Sequence, residues 1–192
     1  MHYEKEIENL LLKHNVILKG HFLLSSGYHS NIYFEKYRIL ENPYLLSILV
    51  KNKISDLKNL GAECVAGPFS GGIIVAYEVA RQLNVYACYG EKFGGKIVFR
   101  RGFDLSGKKV LIVDDVLTTG ISIKKTIEGV REKGGNPIGI FVLINRSPIG
   151  INLNFNIPLI FSYKKEIAIY KPEDCPLCKK GVPLEIRGGK IS

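Results

Sequence analysis

Residues 110 to 122 read VLIVDDVLTTGIS. Four strand-forming apolar residues, Val110 to Val113, run into two adjacent carboxylates, Asp114 and Asp115. Val116, Leu117, Thr118, Thr119 and Gly120 then make a short turn, and a helical segment opens at Ile121. An apolar run this continuous suits a strand buried on both faces of a parallel sheet. Small-ligand sites in open α/β sheets lie just outside the carboxyl ends of such strands. Thr118, Thr119 and Ser122 offer hydroxyls, Gly120 lets the backbone approach closely, and the free N–H groups of the following helix attract an anion. The turn therefore suits a phosphate. The carboxylates repel a phosphate, so they require a second ligand part with hydroxyl donors, or a bound cation. A sugar phosphate has both kinds of group. The plainer reading, a strand end with Thr119 or Ser122 capping a helix, needs one such residue and gains nothing from paired acids.

Around this motif the chain alternates. ECVAGP (63–68), VYACYG (85–90), KKVLIVDD (108–115) and PIGIFVLINR (137–146) read as strands, and IPLIFSY (157–163) is strand-like. IIVAYEVARQL (73–83) and ISIKKTIEGVREK (121–133) read as helices. The second carries Ile123, Ile127 and Val130 on one face, with Lys124, Lys125, Glu128, Arg131 and Glu132 largely outward. The alternation predicts an α/β fold: a mainly parallel twisted sheet flanked by helices, with right-handed crossovers. Before it, residues 3 to 18 place Ile7, Leu10, Leu11 and His14 at helical spacing, so an amphipathic helix is expected there. HFLLSSGYHSNIYFEK (21–36) reads as two short strands around a polar turn, and Asn42-Pro43 opens a helix expected to run to about Leu60.

At 192 residues the chain is most simply one domain with a small subdomain, and 46% hydrophobic with 23% charged residues is the balance of a soluble globular protein. The N-terminus MHYEKEIENL is charged and unlike a secretory leader, and no apolar run reaches the length of a membrane span. A cytoplasmic protein is expected, with no membrane partner. The net charge of +9 is dispersed, without a long Lys/Arg block, a helix-turn-helix or a zinc finger. It fits a basic surface or a site for a polyanionic small substrate better than nucleic acid. Of four cysteines, only Cys175 and Cys178 form a close pair, in PEDCPLCKK. A lone C-x-x-C supplies two ligands where a structural zinc takes four, and no partner motif or His pair lies nearby in the sequence. Structural or incidental thiols are expected, with a zinc shared across a dimer or a disulfide as the alternatives. Cys64 and Cys88 are expected in the core.

A phosphate turn alone does not make a transferase, and three other segments suit the same site. AGPFSGG (66–72) offers a second backbone N–H cradle, at Ser70 and Gly71, for a diphosphate. EKFGGKIVFRRGF (91–103) joins Gly-Gly to Lys92, Lys96, Arg100 and Arg101. It reads as a mobile basic loop able to close over a departing diphosphate, the alternative being a solvated β-hairpin. Arg146, at the end of the next strand, offers a fork of donors for a carboxylate.

VLIVDDVLTTG resembles the phosphoribosyl-diphosphate (PRPP) motif of type I phosphoribosyltransferases. Together with GHFLLSSGYHSNIYF, AGPFSGGIIVAYEVARQL, the FRRGF end of the basic segment, NRS (145–147) and PEDCPLCKKGVPL, it resembles the orotate phosphoribosyltransferase family, in the shorter form with a Cys-containing tail. The likeness covers nearly the whole chain in order. It implies the type I phosphoribosyltransferase fold, with a hood mainly from residues 1–40 and part of the C-terminal tail, over a core of about 41–165. It implies transfer of ribose 5-phosphate from PRPP to orotate, giving orotidine 5′-monophosphate and diphosphate in pyrimidine (UMP) biosynthesis. Mg²⁺ would be carried mainly by PRPP, with no metal ligands assigned on the protein, and the chain would form a homodimer. By the same resemblance, Val116, Leu117, Thr118, Thr119, Gly120, Ile121 and Ser122 would hold the 5-phosphate, and Asp114 and Asp115 the ribose hydroxyls. Ser70 and Gly71 would meet the diphosphate. Thr118 and Arg146 would meet orotate, with Tyr33 and Phe34 of the hood near its ring. Lys92 and Lys96 would be the catalytic cations, acting on the partner's site. Three departures stand out: Ser25 where many members have a lysine, Ser70 and Gly71 where they have Tyr-Lys, and no histidine in residues 93 to 100. Arg100 or Arg101 is then the candidate to compensate. The alternatives are a phosphoribosyltransferase for a purine, or a PRPP- or nucleotide-sensing regulator on the same fold.

Overall fold

The computed structural model describes residues 2–24, 26–147 and 153–187, so Ser25 lies outside the described residues. Two compact units divide the chain: Leu40–Lys165, and Met1–Ile39 together with Glu166–Ser192.

The chain begins in the smaller unit with α1 (His2–Lys13), which buries Ile7 and Leu11. The helix expected as far as residue 18 stops earlier, because Asn15 turns left-handed (φ 53°) and β1 (Ile17–Leu23) follows. Pairing decides this boundary: β1 runs antiparallel to β2 (His29–Phe34) from Ile17↔Phe34 to Leu23↔His29, with a bulge between Lys19 and Phe22. The short α2 (Tyr37–Leu40) leads into the larger unit.

There, α3 (Pro43–Lys51) starts as its sequence dictates: Asn42 Oδ1 accepts from Leu45 N at 3.1 Å, and Pro43 sits in the first turn. The single helix expected to Leu60 is interrupted where Lys53 leaves helical dihedrals (φ −113°, ψ 8°), and it resumes as α4 (Ile54–Asn59). Asn52 stands at the break, a residue whose side chain competes with helical hydrogen bonding. Then come β3 (Cys64–Pro68), α5 (Gly71–Leu83), β4 (Tyr86–Phe93), β5 (Lys96–Val98), β6 (Lys109–Leu117), α6 (Ile121–Glu132), β7 (Asn136–Asn145) and β8 (Leu159–Lys164). The sheet order is β5-β4-β3-β6-β7-β8, with every neighbouring pair parallel except β4 with β5. The α/β reading of the sequence holds. Val110 to Val113 on β6 and Ile140 to Ile144 on β7 are fully buried, the signature of strands covered on both faces. Cys64 and Cys88 are buried free thiols, as expected. The chain then returns to the smaller unit through β9 (Ile169–Tyr170), a 3₁₀ turn (Pro172–Asp174), α7 (Pro176–Lys179) and β10 (Glu185–Ile186). These build a second sheet of order β10-β1-β2-β9.

One expectation is corrected here. The segment read as a mobile basic loop is, over Tyr86–Val98, the β4–β5 hairpin, with Phe93↔Lys96 paired across Gly94-Gly95. Both glycines have positive φ (55° and 77°), which the tight two-residue turn needs and which a reading of Gly-Gly as flexibility overlooks. Helix α6 lies close on this hairpin: a Cβ built on Gly129 would overlap the Ile97 carbonyl oxygen. Gly129→Ala should therefore destabilise the protein by about 1–3 kcal/mol through backbone overlap, although alanine in an open helix would gain about 1 kcal/mol. A denaturant midpoint that rises instead would show that α6 stands further off.

Candidate active site

Strand β6 continues two residues beyond the paired acids, because its ladder to β7 runs on through Val116↔Ile144 and Leu117↔Asn145. Val116 and Leu117, read as turn, are strand. Asp114 and Asp115 consequently sit inside the sheet's edge at 7% and 5% exposure, with the Asp115 N–H donating to Asp114 Oδ1 at 2.9 Å. Consecutive strand residues face opposite sides, so the two carboxylates address different surroundings.

On the Asp115 side lies the first turn of α5. A Cβ on Gly71 would overlap Asp115 Oδ2, and one on Gly67 would overlap the Gly72 carbonyl oxygen. Glycine is what lets this turn close on the strand ends. The Phe69–Ser70 peptide is cis, the Phe69 N–H donates to the Gly90 carbonyl at 2.8 Å, and Phe69 and Ser70 are exposed. The structure thus brings the AGPFSGG turn and the acidic strand end together, as a shared site requires.

Beyond β6, Thr118 is half-buried and Thr119 exposed. Gly120 takes φ 78° as the residue before α6, and no side chain caps the helix. The capping alternative for Thr119 or Ser122 is therefore not what forms, and the first-turn N–H groups of α6 have no side-chain cap, the state in which a helix N-terminus can accept an anion. Against this end of α6 the hairpin makes a cleft of about 270 Å³ lined by Lys92, Gly95, Lys96, Ile97, Ile121, Ser122 and Lys125. Lys92 and Lys96 are thus brought beside Ser122. Lys96 Nζ also meets Glu132 Oε1 at 2.7 Å, a hydrogen bond that holds the Lys96 ammonium above its ordinary pKa. Lys125, which the sequence places outward, is half-buried and donates to the Gly95 carbonyl. Its position three residues after Ser122 on one helix is the signal that was available for it.

Arg146 follows directly on β7, and its N–H donates to the Leu117 carbonyl at 3.0 Å. That bond sets it beside Thr118. Next to it, Asn145 Oδ1 accepts from the Ser147 N–H (3.1 Å) and hydroxyl (2.8 Å), which fixes the chain just past the strand. Tyr33 and Phe34 lie on β2 of the smaller unit. Phe34 is 5% exposed, a core residue there, while the half-buried Tyr33 ring tilts against Phe22 with centroids 5.6 Å apart. Arg100 and Arg101 are exposed; Arg101 meets Glu91 at 3.2 Å, and Arg100 lies over the Phe93 ring at 4.0 Å. The ends of β3, β6 and β7 therefore carry two close-approach turns, two buried carboxylates, an uncapped helix and a guanidinium fork. Such a set can hold an anion and hydroxyls at once and orient a second, carboxylate-bearing ligand.

Residues 45–148 match the family described as phosphoribosyl transferase domain. The chain is 43% identical over 191 residues to an orotate phosphoribosyltransferase of Caldanaerobacter subterraneus subsp. tengcongensis, covering 99% of each chain. It is 39% identical over 185 residues to that of Thermotoga maritima, covering 96% of this chain and 98% of the other. Among solved structures, orotate phosphoribosyltransferase from Aeropyrum pernix superposes with a TM-score of 0.71 at 27% identity, over 82% of this chain and 93% of that one. With the paired acids, the uncapped helix and Arg146 placed at one sheet edge, these likenesses identify the chain as a member of the orotate phosphoribosyltransferase family, within the phosphoribosyl transferase domain fold.

Proposed function

We propose that the protein transfers the 5-phosphoribosyl group of PRPP to orotate, forming orotidine 5′-monophosphate and diphosphate in pyrimidine biosynthesis. The observation that carries this reading is the buried Asp114-Asp115 pair near the end of β6, one short turn before α6 opens without a side-chain cap, with the Arg146 N–H bonded to the Leu117 carbonyl beside it. The segment from Val116 to Ser122, which runs from the end of β6 through Thr118–Gly120 into the first turn of α6, takes the 5-phosphate, and Asp114 and Asp115 accept from ribose hydroxyls. Ser70 and Gly71 present backbone N–H groups to the diphosphate. Arg146 and Thr118 grip orotate, whose carboxylate a purine lacks.

In the reaction, the bond from the anomeric carbon to the diphosphate oxygen breaks as a ring nitrogen of orotate bonds to that carbon from the opposite face and gives up its proton. No side-chain nucleophile is needed. Holding the two reactants in line and stabilising the leaving group supply the barrier reduction. Lys92 and Lys96 stand at the exposed hairpin, suited to neutralising diphosphate, and a homodimer in which they serve the partner's site belongs to this reading. Hard carboxylate oxygens at Asp114 and Asp115 fit Mg²⁺, which when bound would neutralise diphosphate charge while riding mainly on substrate oxygens and water. Among the described residues no helix is long and apolar enough to cross a membrane. Both substrates are anions, PRPP multiply so, and do not cross a bilayer unaided, which supports a cytoplasmic site of action.

The direct test mixes purified protein with PRPP, Mg²⁺ and either orotate or adenine and follows loss of the free base; turnover of adenine but not orotate would sink the proposal. Arg146→Ala should raise KM for orotate about 10- to 100-fold, the worth of a charged hydrogen-bond pair, while KM for PRPP changes little. Equal weakening of both substrates would count against this role. Gly71→Ala should lower kcat/KM for PRPP by about 100-fold, since the added methyl displaces the Asp115 carboxylate; an unchanged value would remove Asp115 from the ribose site. Lys92→Ala should cut kcat by about 100-fold or more at unchanged Tm, and full turnover in a folded variant would reassign the loop cation.

A further inference from the structure

In the smaller unit, four side chains far apart in sequence converge. His21 on β1, His29 on β2, Cys175 just before α7 and Cys178 on it each offer one donor atom, all four atoms lying within 4.8 Å of one another. His21 Nε2 is 3.0 Å from His29 Nδ1, 3.4 Å from Cys175 Sγ and 3.7 Å from Cys178 Sγ, and Cys178 Sγ is 3.3 Å from His29 Nδ1. Ligands at the edges of a zinc tetrahedron with usual Zn–N and Zn–S bonds are about 3.3 Å apart for N and N, and about 3.5 Å for N and S. The four distances of 3.0 to 3.7 Å lie within about 0.3 Å of those values.

The proton count argues for a cation as well. His21 Nδ1 lies 2.8 Å from the Val182 carbonyl oxygen, which can only accept, so Nδ1 carries the hydrogen and Nε2 presents its lone pair to the cluster. His21 Nε2 has one lone pair and three neighbours within 3.7 Å, so hydrogen bonds alone cannot serve every close pair of the set, whereas one divalent ion takes a lone pair from each member once both thiols have lost their protons. A backbone carbonyl behind a ligating imidazole is also how metal-bound histidines are oriented. His21, His29 and Cys175 are buried, so the ion would be shielded on most sides.

We infer that His21, His29, Cys175 and Cys178 form a structural Cys₂His₂ zinc site that fastens the C-terminal tail to the β1–β2 hairpin. On this inference the two thiols are structural, through an ion held within one chain. The C-x-x-C does lack partners nearby in the sequence, but both histidines arrive through the fold, His21 from 154 residues before Cys175. Four protein ligands leave no open position, which makes the site structural. Two softer thiolates with two imidazoles on one tetrahedral point favour zinc over Mg²⁺ or Ca²⁺. A two-iron cluster would hold thiolates and imidazoles on different irons, apart from one another, whereas here Cys178 and His29 are neighbours. The fold gives the ion a task. β9 and β10 are two residues each, paired to β2 and β1 by short ladders such as Phe22↔Glu185 and Leu23↔Ile186, and strands so short need another tether.

The inference rests on the smaller unit alone and stands or falls apart from the substrate reading. Full-length protein purified without chelator should contain about one zinc per chain by elemental mass spectrometry. Cys178→Ser and His29→Ala should each reduce this to under about a tenth, while Cys88→Ala, in the other unit, keeps it. Stripping the metal should lower Tm, and Zn²⁺ should restore it. Refilling the stripped wild-type chain with Co²⁺ should give the intense visible bands of a four-coordinate ion and a thiolate-to-cobalt charge-transfer band, a readout that survives even if the variants fail to fold. Protein that is metal-free and takes up no Zn²⁺, an iron–sulfur chromophore, or the weak cobalt spectrum of an octahedral site would overturn the assignment.

Discussion

Two carboxylates in adjacent positions at the end of a central strand are the constraint around which the larger unit is arranged. Strand β6 lies between β3 and β7 and is apolar up to Val113 because both of its faces are covered. At Asp114 and Asp115 the same strand, still paired to β7, carries charge at 7% and 5% exposure. Burying charge is costly unless polar groups surround it. At the sheet edge the Asp115 N–H donates to Asp114, and Gly71 in the first turn of α5 packs against the Asp115 carboxylate. The proposed site thus lies at the carboxyl ends of the strands, where ligand sites of α/β sheets are found.

Close approach is the second requirement, and it is met by removing side chains. Gly67, Gly71 and Gly72 let α5 begin in contact with the strand ends. Gly120 has the left-handed φ that turns the chain from β6 into α6, and Phe155 lies where its side chain would be. The helix then starts without a cap, so its N-terminal partial charge is directed to the same place as the turns. The Lys92, Lys96 and Lys125 side chains line the cleft beside it, with charge opposite to that of a phosphate.

Where sequence reading erred, pairing across long distances overrode a local pattern. The amphipathic period of α1 continues past Lys13 only on paper, because Ile17 is claimed by Phe34 on β2. The Gly-Gly of the basic segment suggests mobility when read alone, yet it is the turn of a hairpin held under α6. Lys125 faces outward on a helical wheel, but the hairpin reaches it from outside the helix. Each of these outcomes depends on a partner that the local window does not contain.

The sequence by itself determined the strand–turn–helix unit of residues 110 to 122, the alternating α/β order and the likeness of the chain to orotate phosphoribosyltransferases. These are written in consecutive residues, through apolar continuity, paired acids and glycine position, and need no knowledge of the path of the chain. Only the tertiary structure decided that Gly71 abuts Asp115, that Lys92, Lys96 and Lys125 share one cleft, and that two histidines near residue 25 meet two cysteines near residue 177. Convergence of this kind is set by strand pairing and by the return of the tail to the first sheet. Spacing along a chain carries no measure of distance once the chain has folded back on itself.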